Sequence, residues 1–311
     1  MTGCFVVCVT GEFLNQMPDI GKMSSRELGL VLAQQLLDVE DLHYGLWDPD
    51  LAVSLANIPL AQQHYTTRLL DLLGRLLEGV SRPQILDVGC GTGHMLEQIL
   101  ARGYDVDAVN PSAYLNQQVR QRLARINAAS TRLFETDFES MPDEACRNCY
   151  DLLLLSESFQ YIPLPEFFAN TRRLLKTDGL VVICDFFKTA AHCDGEAGDR
   201  SFSGGHILGE FYRLVGESGF EIKQDDDLTT RVSPNIALLD ELLSRRLAPA
   251  AASIDAYLQS AYPKMRRLVK WLLRRKLARV RYKYLSGNRS QAVFEKYKSY
   301  RLIVLQRAPG A

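Results

Sequence analysis

The stretch Pro83-Gln84-Ile85-Leu86-Asp87-Val88-Gly89-Cys90-Gly91-Thr92-Gly93 decides the fold of this 311-residue chain. Ile85, Leu86 and Val88 make a short apolar run of the kind that parallel sheets bury on both faces. Gly89, Gly91 and Gly93 follow in alternation, and His94–Ala101 then has apolar residues at helical spacing. Strand, glycine turn and helix are the opening of a nucleotide-binding α/β domain. Glycines let the backbone approach a ligand closely, and a helix start offers it unpaired N–H groups. Two ligand classes are disfavoured by the same residues. A dinucleotide fingerprint needs glycine where His94 stands, and a Walker loop needs the Gly-Lys-Ser/Thr that this turn lacks.

What remains, an acid followed by G-x-G-x-G, resembles motif I of the class I S-adenosylmethionine-dependent methyltransferases. The resemblance implies a Rossmann-like α/β fold with a seven-stranded, mostly parallel sheet. It implies S-adenosyl-L-methionine as cofactor and S-adenosyl-L-homocysteine as product. Gly89, Cys90, Gly91 and Gly93 then pack under the methionyl and ribose parts, and Asp87 orients the methionine end.

Downstream elements alternate as a parallel sheet requires. A second strand, Asp105–Val109, ends at Asn110, 21 residues after Gly89. The family places there an acid for the ribose hydroxyls; Asn110 accepts through its carbonyl but carries no charge. Helix Tyr114–Ile126 leads to strand Arg132–Glu135 and then to Asp137 and Phe138. By resemblance these two contact the adenine amino group and ring. Strand Asp151–Leu155 delivers Ser156, Glu157, Ser158, Gln160 and Tyr161 at its C-terminal end, where ligands of such sheets bind. This run resembles motif IV of sterol, tocopherol and geranyl diphosphate methyltransferases and of some natural-product O-methyltransferases. It lacks the Asn/Asp-Pro-Pro-Tyr run of enzymes that methylate nucleic-acid bases, and no separate nucleic-acid module is visible. Helix Phe167–Lys176, a glycine turn at Lys176–Gly179 and strand Leu180–Asp185 complete the resembling region, about Arg82 to Phe187. Helix Ile207–Ser218, strand Phe220–Gln224 and strand Arg301–Gln306 bring the sheet to seven.

Upstream, a helix is expected over Ser25–Leu42 and another over Leu60–Leu77. Between them His43, Tyr44 and Trp47 cluster around Gly45. In similar small-molecule enzymes such aromatic residues close over cofactor and substrate, so Tyr44, Trp47 and Gln160 are the substrate-contacting candidates. Glu157, Tyr161 and His206 are the candidates for proton transfer or acceptor orientation. The expected organisation is an extension over residues 1–22, a helical cap over 23–81 and a cofactor-binding core over 82–229. A helical lid over 230–297, with helices Pro234–Leu247 and Ser253–Leu285, and a last strand and tail over 298–311 follow.

Charge is uneven although the net is −1. Ala256–Phe294 holds eleven Lys or Arg and no acid, leaving 25 basic against 37 acidic residues elsewhere, a charge of −12. The segment Lys264–Lys283 carries an apolar stripe, Val269, Leu272, Leu273, Leu277 and Val280, beside its cations. It suits an anionic acceptor, an acyl carrier protein or an anionic membrane surface. The seven cysteines have no zinc-type spacing beyond Cys146-x-x-Cys149, which reads as reduced thiols, and no metal site is expected. With no run long enough to cross a bilayer, the expected setting is cytoplasmic, with peripheral membrane contact as an option. The reading is therefore a small-molecule C- or O-methyltransferase of biosynthesis; the alternative is an inactive cofactor-binding paralogue, for which Asn110 speaks.

Overall fold

A computed structural model describes residues 31, 34–35, 37, 39–41, 43–142, 147–202, 204–284 and 288–308. Of the helix expected over 25–42, Val31, Gln34, Gln35 and Leu37 are helical, Val39, Glu40 and Asp41 are not, and the other positions lie outside the described residues, as does the 1–22 extension. Helix α1 (Ile58–Leu76) starts with Pro59 in its first turn, where a missing N–H costs nothing.

The core runs β1 (Gln84–Val88), α2 (His94–Ala101), β2 (Asp105–Val109), α3 (Ala113–Arg125), β3 (Leu133–Phe134), β4 (Tyr150–Ser156), α4 (Leu164–Leu174) and β5 (Leu175–Lys188). It continues with α5 (Ala197–Ser201), α6 (Leu208–Glu217) and β6 (Phe220–Asp227). After α7 (Thr229–Val232) and α8 (Pro234–Glu241) come α9 (Ala248–Ala261), α10 (Pro263–Tyr284), α11 (Gln291–Tyr297) and β7 (Lys298–Arg307). The seven strands lie in the order β3-β2-β1-β4-β5-β7-β6, with β7 antiparallel to both of its neighbours. Fold class and strand number agree with the sequence reading.

Alternate residues of each strand face opposite sides. Ile85, Leu152, Leu154, Val182 and Val304 pack on α1 and α2. Leu86, Leu153, Leu155, Ile183 and Ile303 meet the phenylalanines of α4 and α6 on the other face. At ~25 cal/mol per Å², burying each such side chain stabilises by roughly 2 kcal/mol.

Three expectations shift. Lys176–Gly179 is not a helix-ending turn: α4 stops at Leu174 and the chain enters β5 at once. The turn is an excursion within that strand, for Tyr150 pairs with Leu175 and Leu152 already with Leu180. The break expected between Leu247 and Ser253 falls instead at Tyr262-Pro263, where Tyr262 leaves the helical region at φ −138°, ψ 57°, as a residue before proline tends to. Pro249 is absorbed because a π-helical stretch, Leu242–Leu247, loosens the hydrogen-bond ladder just ahead of it. Finally, Cys149 is disulfide-bonded rather than reduced; Cys146 lies outside the described residues.

Candidate active site

β1 delivers Asp87 and the glycine turn to the C-terminal end of the sheet. Gly89, Gly91 and Gly93 all have left-handed φ, +77°, +57° and +81°. Packing also requires two of them: a Cβ on Gly89 would lie 2.4 Å from Ser158 Cβ, and one on Gly93 3.2 Å from Val119 Cγ2. Gly91 would meet nothing within 4 Å, so the middle of the turn is open to a ligand.

Asp87 is 2% exposed, and its Oδ2 is buried without a hydrogen-bond partner among the described residues. Burial pushes its pKa up to about 7. An ionised carboxylate in that place lacks the cation it needs. The cofactor named by the resemblance carries a primary ammonium on its methionine part, so the donor set fits it. Asn110 is buried too; its Nδ2 donates to the Gly91 carbonyl at 3.3 Å. The amide nitrogen thus pins the glycine turn, and Oδ1 is left as the acceptor at the strand end. Asp107 is committed elsewhere: it accepts from Arg132 and from the Tyr150 hydroxyl at 2.9 Å.

The end of β4 builds the adjoining half. Glu157 adopts φ +55°, a conformation that costs a non-glycine residue about 1 kcal/mol and collects at functional sites. Its Oε1 accepts from the Tyr44 N–H at 2.8 Å and the Tyr300 hydroxyl at 2.7 Å. The Tyr300 and Tyr65 oxygens lie 3.3 Å apart, and Tyr65 is 2.8 Å from Ser156 Oγ. Burial raises the Glu157 pKa against the opposing pull of His43 and the two hydrogen bonds it accepts. It also holds Tyr65 and Tyr300 firmly as phenols. Ser158 touches Gly89 and donates to the Val88 carbonyl, and the Phe159 ring meets His206 at 4.9 Å. Residues 157–159 therefore connect the glycine turn to His206.

Comparison with known proteins agrees with this geometry. Residues 85–179 match the methyltransferase domain family. The chain is 24% identical over 190 residues to a malonyl-[acyl-carrier protein] O-methyltransferase of Paenibacillus sp. (strain JDR-2), covering 54% of this chain and 69% of that protein. It is 32% identical over 127 residues to the protein of the same name from Geobacter sulfurreducens, covering 40% and 46%. The chain thus spans less than half of that second relative. A solved geranyl diphosphate methyltransferase in complex with GPP and sinefungin superposes with a TM-score of 0.63 at 17% identity, covering 89% of this chain and 93% of that one. Residues 85–179 are thus a methyltransferase domain, and the chain has the Rossmann-like fold of S-adenosylmethionine-dependent methyltransferases.

The other candidate residues of this methyltransferase fall into different surroundings. His206 Nε2 lies 3.2 Å from the Phe159 carbonyl. That nitrogen must donate, so when the ring is neutral Nε2 carries its proton. Burial holds the ring's pKa below the ordinary histidine value. Gln160 holds Asp185 through its backbone N–H at 2.9 Å and its side chain at 3.2 Å. Tyr161, on the last residue of a 3-10 turn, is 58% exposed. Asp137 accepts from the Ser140 N–H at 2.8 Å, and Phe138 is buried against Phe167. The Tyr44 ring stands edge-on to Phe294 and Tyr300. Trp47 is buried among Ile58, Ala61 and Leu238, where it packs the N-terminal segment onto α1.

Four features carry little signal in the sequence. Asp185, wholly buried, is pushed up to about 8 by burial; an acid closing an apolar strand is its one trace. Tyr300 shows only as a lone phenol in the run Tyr300–Leu305. Asp41 ties down the glycine turn: its Oδ2 meets His94 Nδ1 at 2.8 Å, and the neighbouring Glu40 carbonyl accepts from Thr92 Oγ1 at 3.2 Å. Lys298 is 1% exposed, donates to the Gly204 carbonyl and stands 5.0 Å over the Phe186 ring. Burial lowers its pKa to about 7.

Proposed function

We propose that the protein methylates an oxygen of a small biosynthetic acceptor, with Asp87, the glycine turn and Asn110 holding S-adenosylmethionine and His206 serving as the base. The observation that carries the reading is the buried Asp87 carboxylate beneath an open glycine turn, its Oδ2 without a partner among the described residues. A cation placed there recovers the cost of burying the charge. The bound cofactor supplies an electrophilic methyl group. The chain's part is to aim an acceptor at it and keep water out.

Glu157 serves as a positioning carboxylate in this reading. Its Oε1 accepts two hydrogen bonds, and they fix the Tyr44 segment and β7 against the end of β4. His206, neutral with Nδ1 unprotonated, takes the proton that an attacking hydroxyl loses; a carboxylate acceptor would not need it. Oxygen is preferred to carbon because both relatives described above are O-methyltransferases by name. An acceptor carried on an acyl carrier protein is the form their names suggest. Asp137 and Phe138 are assigned to the adenine side, Ser156 to the cofactor, and Tyr44, Gln160 and Tyr161 to the acceptor side. Trp47 acts through packing.

Transfer of labelled methyl to pooled hydroxyl and carboxyl acceptors tests the reaction. The acid limb of kcat/KM for the acceptor, measured at saturating S-adenosylmethionine, then tests the base: it should have its midpoint below the ordinary histidine pKa of about 6.5 and vanish in His206→Gln. Turnover unchanged by that substitution would remove His206 from the chemistry.

A further inference from the structure

Helices α9 and α10 form a hairpin that turns at Tyr262-Pro263 and keeps nearly every described side chain in water. On α10, Met265, Leu268, Val269, Leu272 and Leu273 recur at i, i+3, i+4, i+7 and i+8, the spacing of one helix face. All five are exposed, Leu272 by 62%. Such a stripe normally faces a core, and here it does not. Trp271, 61% exposed, flanks it, with the Arg274 guanidinium 5.8 Å from its ring. The opposite face of the same turns carries Arg266, Arg267, Lys270 and Arg274. Asp255 of α9 takes Arg266 and Lys270 at 2.7 and 2.8 Å, bracing the two helices. The ten Lys and Arg of α10 are accompanied by no acid.

We infer that α10 docks on an anionic lipid surface, its apolar stripe entering the acyl boundary and its cations meeting lipid phosphates. A helix with an apolar face, a Lys/Arg-rich polar face and an edge tryptophan has the composition of one lying in a bilayer interface. Two such faces would repel each other, which argues against a second copy of this chain as the occupant. An acidic protein would satisfy the cations, while the unbroken stripe of long apolar side chains asks for hydrocarbon. The docking does not rest on the methyl-transfer reading.

The test uses the full chain with vesicles of phosphatidylcholine alone or mixed with phosphatidylglycerol, read by co-sedimentation and tryptophan emission. The chain has two tryptophans, and Trp47→Phe leaves Trp271 as the reporter. The expected result is binding to the mixed vesicles at least about tenfold tighter than to phosphatidylcholine, with a blue shift from Trp271. Arg274→Glu/Arg275→Glu should abolish the preference, and Leu268→Ser/Leu272→Ser should abolish the blue shift. Circular dichroism and S-adenosylmethionine affinity should be unchanged in both double variants. Equal binding to both vesicle types, or variants that bind like the parent, would overturn the inference. So would capture of a purified acidic carrier protein without vesicle binding, or self-association abolished by the same substitutions. Cofactor affinity is read on the same samples, so a failure of the methyl-transfer reading appears separately from a failure of docking.

Discussion

Asp87, Glu157 and Asp185 keep carboxylates out of water at one end of the sheet, while Leu268, Trp271 and Leu272 on α10 keep apolar surface in it. Both arrangements cost stability. Buried carboxylates lose hydration that hydrogen bonds restore only in part, and an exposed apolar stripe forgoes the burial that holds the rest of the fold together. The difference lies in what answers the cost. Around Glu157 the chain supplies the partners, the Tyr44 N–H and the Tyr300 hydroxyl. On the proposed reading, Asp87 and the α10 stripe are instead left for something outside the chain, a cation in one case and hydrocarbon in the other.

Substitutions sharpen this contrast in order of expected size. Gly89→Ala places a methyl 2.4 Å from Ser158 Cβ at a φ of +77°, which should destabilise by about 4 kcal/mol in urea unfolding. Adding Ser158→Gly should recover the steric part and leave about 1 kcal/mol of backbone strain. Glu157→Ala strands two donors and should cost about 3 kcal/mol. Glu157→Gln retains an Oε1 acceptor and should cost under about 1 kcal/mol. Equal losses in the two variants would mean that the charge, rather than the acceptor atom, holds Tyr44 and Tyr300.

The Asp41–His94 pair gives a smaller effect with a definite pH window. The hydrogen bond that His94 donates to Asp41 raises the His94 pKa against partial burial, while His43 and His94 bring Asp41 well below its ordinary value against burial. The His94 contribution is complete below its unfolded pKa of about 6.5 and disappears as pH rises through the raised folded value. The Asp41 contribution is present above about 3.8 and lost as pH falls through the lowered one. His94→Ala should therefore cost about 1 kcal/mol at pH 5.5 and markedly less at pH 9, solvent screening included. A cost independent of pH would show that packing, and no charge, is what His94 supplies. Smallest of all, Leu272→Ser should change stability by under about 0.5 kcal/mol in buffer. A loss the size of a core substitution would place that side chain against protein.

Much of the fold is legible in the sequence, because period and punctuation carry it. The apolar runs at Ile85–Val88 and Leu152–Leu155, the glycines after Val88 and the helical spacing between strands fix a parallel sheet. Boundaries move where local signals compete: Pro249 has the look of a break and Pro263 is one, because only the three-dimensional ladder shows where a missing N–H is tolerated. In the site, Asp87 and Glu157 are legible as acids at strand ends. The Tyr300 and Asp41 contacts are not, since they join residues 143 and 53 positions apart, and no sequence period encodes such a meeting. Trp47 shows the reverse: its neighbours in sequence suggest a ligand, and its neighbours in space are Ile58, Ala61 and Leu238.

The most direct test of the account is calorimetric titration of S-adenosylmethionine into the protein and into Asp87→Asn across pH 5–9. With the Asp87 pKa raised to about 7 in the free protein, the ammonium selects the ionised form. Affinity should fall as pH drops below 7, with about one proton released per ligand bound at pH 6. Asp87→Asn should lose the binding and, freed of a buried charge, gain on the order of 2 kcal/mol of stability at pH 8. Binding that is independent of pH and survives in Asp87→Asn would contradict the claim that the buried carboxylate is the cofactor's anchor.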